Sequence, residues 1–147
     1  MTRKVVALLV GALVASPALA GPKKSLYERL GGETAIKTVV DDFVALTGAN
    51  PKVDFTRGGQ YQMSDAKLVQ LKGSLVAFLT QAFGGPAGYA GGNMRAVHAG
   101  MRITRAQFDA MAADLRSVLE KHRVPKAELD EVMAIAASTA PDIVEVK

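Results

Sequence analysis

The sequence predicts an all-α domain with about four substantial helices. Apolar residues recur every three or four positions in separate stretches, each bounded by a capping residue or a glycine break. No segment shows the period-two alternation of a half-buried strand, which leaves little room for a large sheet.

A short helix is expected from Ser25 to Leu30, halted by Gly31-Gly32. From Glu33 to Thr47, Ile36, Val39/Val40, Phe43 and Leu46/Thr47 fall at helical spacing, with Gly48 where a C-terminal cap belongs. Asn50 to Gly59 reads as irregular because Asn50-Pro51 and Gly58-Gly59 break regular structure. Ser64 and Asp65 open the next helix, a cap followed by an early acid. Its stripe is Leu68, Leu71, Leu75, Phe78/Leu79 and Ala82, and Gly84-Gly85-Pro86 ends it. A glycine-rich loop through Gly88, Gly91 and Gly92 leads to a short helix between Asn93 and Gly100. Thr104 and Gln107 form a capping box for a helix striped by Phe108, Met111, Leu115 and Val118/Leu119. Pro125 suits the first turn of a last helix carrying Leu129, Val132/Met133 and Ala136.

Residues 1–20 read as an export signal: Arg3 and Lys4, an apolar run from Val5 to Ala15, then Ala18-Leu19-Ala20 as a cleavage site. The run is too short to span a bilayer comfortably, so no stable membrane span is expected after processing. Residues 21–147 would then form one domain, exported and periplasmic, with any cofactor acquired outside the cytoplasm. Losing Arg3 and Lys4 takes the formal charge from +4 to +2, and basic patches are absent, so nucleic acid is not an expected partner. With no cysteine, packing, with or without a cofactor, must supply what disulfides supply in many exported domains.

His98 is the residue with most chemical content. Met94, Val97 and His98 share one helical face at i, i+3 and i+4. An imidazole on an apolar face is either a satisfied core histidine or a metal ligand. The surrounding sequence decides between them. Leu26-Tyr27-Glu28-Arg29-Leu30-Gly31-Gly32, Gly84-Gly85-Pro86 with Tyr89 and Gly91, and Met94-Arg95-Ala96-Val97-His98-Ala99-Gly100 with Ile103-Thr104 and Phe108 occur in this order. In these motifs the chain resembles the group I truncated haemoglobins, from about Leu26 to Ile143.

The resemblance implies a two-on-two helical sandwich around a haem, haem b, with His98 as proximal iron ligand. It also implies that Met94, Val97, Met101, Ile103 and Phe108 line the proximal side, with Leu79 among the haem contacts and Phe55 as the haem-packing aromatic. Lys72 and Tyr89 match positions that meet the propionates, though either residue also suits solvated surface. On the distal side Phe43 matches a family aromatic, but Val44 stands where tyrosine is usual. Leu71 and Leu75 occupy the facing helix, the latter where glutamine is often found. None of these three donates a hydrogen bond. Losing a charge-assisted donor costs a bound oxygen roughly 1.5–3 kcal/mol of stabilisation. Tyr61 reads as a surface or loop tyrosine, with an inward turn as the alternative.

His122 is expected to complement the helix dipole rather than bind iron. Asp41-Asp42 reads as a solvated pair pointing apart, not as acid–base machinery. The functional expectation is reversible binding of a diatomic gas: oxygen, nitric oxide or carbon monoxide. One alternative is a haem enzyme converting nitric oxide and oxygen to nitrate, or consuming peroxide, fed by a separate electron donor. The other is a cofactor-free helical domain, which would have a filled core around His98.

Overall fold

Side-chain caps open four of the helices described by a computed structural model, which covers residues 23–146 of this chain. Residues 1–20, read from the sequence as an export signal, lie outside the described residues. Helix α1 (Leu26–Leu30) opens on a reciprocal box: Ser25 Oγ accepts from the Glu28 amide, and the Glu28 carboxylate accepts from the Ser25 amide at 2.8 Å. Gly31 and Gly32 follow at φ +99° and +77°, a left-handed pair that turns the chain straight into α2 (Gly32–Gly48). Gly48 stays helical as the last residue of α2, and Ala49 takes the capping position expected of it.

Ser64 caps α3 (Asp65–Ala82) through the Lys67 amide at 3.4 Å. The end of α3 is docked on α1, with the Tyr27 amide donating to the Phe83 carbonyl at 2.8 Å. A Cβ on Gly85 would lie 2.6 Å from the Tyr27 ring and 2.9 Å from the Thr80 carbonyl, so the second glycine is needed for close approach. Asn93 caps α4 (Met94–His98) by accepting from the Ala96 amide at 2.8 Å. Thr104 and Gln107 box the start of α5 (Arg105–Lys121). Pro125 is the N-cap of α6 (Lys126–Ser138), one position earlier than expected.

A seventh element, α7 (Ala140–Ile143), was not expected as a separate helix. Pro141 has no amide to donate and its ring would crowd the carbonyl four residues back, so the α6 path breaks at Thr139. The Thr139 hydroxyl satisfies the Ala136 carbonyl at 2.7 Å. Beyond α7 the chain returns beside the start of α5, where Glu145 and Val146 amides donate to the Ile103 carbonyl. Thr104 and Val146 form an isolated bridge, and no strand is present among the described residues.

Helix α2 packs on α3 and on α5, and α5 packs on α6, giving two helix pairs laid one on the other. Ile36, Val40, Phe43 and Val44 of α2 meet Leu115, Val118 and Leu119 of α5 and Leu129 and Val132 of α6 in the main core. Phe108, Ala140 and Ile143 make a second cluster. Asp41 and Asp42 do point apart, and each joins two helices. Asp41 pairs with Lys72 of α3 at 3.0 Å and Lys37 at 3.3 Å, while Asp42 pairs with Lys121 and His122 at 2.8 Å. Hydrogen bonds from Lys121 and then His122 hold the Asp42 carboxyl below its ordinary value.

Candidate functional site

Helix α4 is too short to hold its shape unaided, and the C-terminal segment pins it. The Arg95 guanidinium meets the Asp142 carboxylate at 2.8 Å. Past His98, the amides of Gly100 and Arg102 both donate to the Glu145 carboxylate, at 2.7 and 2.6 Å. These two bonds, Gly100 first, hold the Glu145 carboxyl below its ordinary range. Gly100, at φ +80°, makes the turn that brings both amides round.

This scaffold sets one imidazole. His98 Nδ1 lies 2.8 Å from the Met94 carbonyl oxygen, which can only accept. Nδ1 is therefore the protonated nitrogen, and in the neutral ring Nε2 keeps its lone pair. No side chain or backbone group among the described residues hydrogen-bonds Nε2. A histidine with its outer nitrogen fixed and its inner one free is arranged as a metal ligand is arranged.

The half-buried His98 ring lines a cavity of about 580 Å³. That volume lies within the range of cofactor and small-molecule sites, roughly 300–1,000 Å³. Phe43, Phe55, Leu71, Leu75, Leu79, Tyr89, Met94, Val97, Met101, Ile103 and Phe108 line it with His98, so residues chosen from four helices and three loops come together. A filled core around His98, as a cofactor-free domain requires, is not what surrounds it. The α6–α7 corner closes the cavity through Val132, Ile135, Ala136, Thr139 and Ile143.

Two of the expected residues stand elsewhere. Val44 is buried at 4% exposure in the main core, one turn beyond Val40, and does not line the cavity. The Lys72 ammonium turns to Asp41 on the outer α2–α3 flank, because one step along α3 from Leu71 swings it about 100° round the helix axis. Lys67 lines the cavity instead, at an exposed position. Tyr89 does line it, with its hydroxyl donating to the Gly92 carbonyl at 3.1 Å and its ring edge-on to Phe78 at 5.5 Å.

Several lining residues had not been anticipated. Gln70, Ser74 and Phe78 form an i+4 row beside the Lys67, Leu71, Leu75 row, so the cavity face of α3 is rotated from its greasiest stripe. Their spacing was visible, but two polar members hid the row. Tyr61, expected at the surface, is half-buried and lines the cavity. His122 sits apart at the end of α5, its Nε2 committed to Asp42.

A family model described as bacterial-like globin matches residues 25–145. The chain is a bacterial-like globin. Among its relatives are the Group 1 truncated hemoglobin GlbN of Mycolicibacterium paratuberculosis and its namesake from a Synechocystis species. The first is 33% identical over 119 residues, covering 81% of this chain and 83% of the relative. The second is 32% identical over 120 residues, covering 79% and 92%. The Fe(III) form of the truncated hemoglobin from Tetrahymena pyriformis superposes with a TM-score of 0.73 at 29% identity, over 82% of this globin and 98% of that chain. Globins of this family bind haem, typically haem b. The site fits that group: a largely apolar wall, an imidazole with a free Nε2, and the Lys67 cation for carboxylates.

Proposed function

We propose that this globin holds a haem b through His98 and binds a diatomic gas, oxygen, nitric oxide or carbon monoxide, on the face opposite. The observation that carries the reading is the His98 ring, with Nδ1 tied to Met94 and Nε2 free, on the wall of an apolar cavity. When bound, the haem supplies an iron with one open coordination position. The protein's own part is to fix the imidazole, exclude water with Phe43, Phe55, Phe108 and the α3 leucines, and meet carboxylates at the rim with Lys67. Leu71 and Leu75 offer a gas molecule no hydrogen bond, so polar stabilisation must come from another wall. Any redox turnover would draw on a separate electron donor.

The test is an optical spectrum of the purified protein, oxidised, reduced and exposed to carbon monoxide. A haem Soret band that shifts on reduction and again with carbon monoxide is the expected result. A colourless protein that takes up no added haemin contradicts the reading.

We also propose that the protein works outside the cytoplasm. The support is the arrangement of Arg3 and Lys4, the apolar run and Ala18-Leu19-Ala20. Among the described residues no helix is long and apolar enough to cross a membrane. Mass spectrometry of natively expressed protein should find a chain starting at Gly21 in the extracytoplasmic fraction. Full-length chain confined to the cytosol would refute export.

A further inference from the structure

We infer that Tyr61 is the hydrogen-bond donor to a gas molecule held opposite His98, presented from the connection between α2 and α3 and not from a helix. The inference rests on the haem reading above.

Elimination along the cavity wall leads to it. Arg57 donates to the Val53 carbonyl at 3.1 Å and to Gln107 Oε1 at 3.0 Å. Gln107 Oε1 accepts from the Thr104 amide and from Arg57, which fixes that side chain at the start of α5 and leaves its amide nitrogen uncommitted. The Thr139 hydroxyl is spent on Ala136, and the Tyr89 hydroxyl on Gly92. Lys67, Gln70 and Ser74 line the cavity from exposed positions on α3, where water competes for them. Of the hydroxyls on the lining, that of Tyr61 remains: it belongs to a half-buried phenol and has no hydrogen-bond partner among the described residues, whereas those of Tyr89 and Thr139 are paired and that of Ser74 is exposed. A polar ligand in the cavity would give this uncommitted hydroxyl a partner.

The backbone that carries Tyr61 is ordered by its own bonds. Its amide donates to the Thr56 carbonyl at 2.9 Å. Asp54 braces the turn below, accepting from the Thr56 hydroxyl at 3.0 Å and the Gly58 amide at 2.9 Å. Three residues on, Ser64 fixes the start of α3. The loop therefore presents the phenol to the cavity from an ordered backbone, on a connection separate from α4. It does so in a cavity where Leu71 and Leu75 provide no donor.

The test uses the haem-loaded protein with oxygen and carbon monoxide as probes. Tyr61→Phe removes one oxygen atom and keeps the ring. It should speed oxygen dissociation roughly ten- to a hundredfold and change carbon monoxide dissociation less. The infrared C–O stretch of the carbon monoxide complex should move to higher frequency, because a donor near the outer atom lowers it. Gln70→Ala removes a competing polar group from the same lining and should change the rate and the stretch less than Tyr61→Phe does. If Tyr61→Phe retains haem with a normal spectrum and leaves both readouts unchanged, Tyr61 is not the donor while the haem reading stands. The same holds if Gln70→Ala reproduces the change and Tyr61→Phe does not. Failure of the wild type to bind haem overturns both.

Discussion

His98→Ala should lose stable haem binding, whereas His122→Ala should keep the wild-type spectrum. These are the only two histidines in the chain, so the pair of variants asks a closed question. His98 has its Nδ1 occupied by the Met94 carbonyl and its Nε2 open to the cavity. His122 has its Nε2 occupied by Asp42 and stands at the end of α5, away from the lining. Removing only a partner of a ligating histidine costs about 10–100-fold in metal affinity, so removing the ligand itself should cost at least that. The measurement is transfer of haem from each variant to an excess of a scavenging globin. Equal retention by the two variants would place the iron on some other residue.

Phe108→Ala should produce the largest loss of stability of any single truncation that also touches the cavity. The ring is 3% exposed, packs against Ala140 and Ile143, and turns part of its surface to the cavity. Deleting such a ring costs about 3–5 kcal/mol, against total stabilities of about 5–15 kcal/mol for a domain of this kind. The haem-free variant should therefore unfold at a much lower urea concentration, with the slope of the transition unchanged. Excess haem should restore part of the difference, because a ligand that binds only the folded state stabilises it by mass action. A loss below about 1 kcal/mol would mean that the α5–α7 cluster does not support the site.

The fold was legible where local chemistry sets it. Ser25, Ser64, Asn93 and Thr104 are side chains that cap a helix, and each does so at its own position. The paired glycines were legible too, because Gly31 and Gly32 need left-handed backbone and Gly85 needs close approach to Tyr27. The break before α7 was less so: Pro141 stops a helix, but the residue at which the chain turns depends on where the Thr139 hydroxyl donates and on the amides that the Ile103 carbonyl accepts.

The site divides along the same line. His98 and its apolar neighbours lie in one contiguous segment, and local order carries their arrangement. Val44 and Lys72 were placed by correspondence of position along a helix, and a rotation of one residue about the axis moves a side chain off the cavity. Tyr61 was hardest to place, because a loop has no period from which to read a direction. Its inward position follows from the Asp54 and Thr56 bonds that wind the turn beneath it.

The claim that His98 alone holds the iron is tested most directly by His98→Gly, loaded with haem in the presence and absence of free imidazole. Glycine vacates the space of the ring, and added imidazole can occupy it without a covalent tether. Without imidazole the variant should show a displaced Soret band and lose haem quickly. With it, the wild-type spectrum should return as imidazole saturates the vacated position. A variant that keeps the wild-type spectrum with no imidazole present would contradict His98 as the ligand.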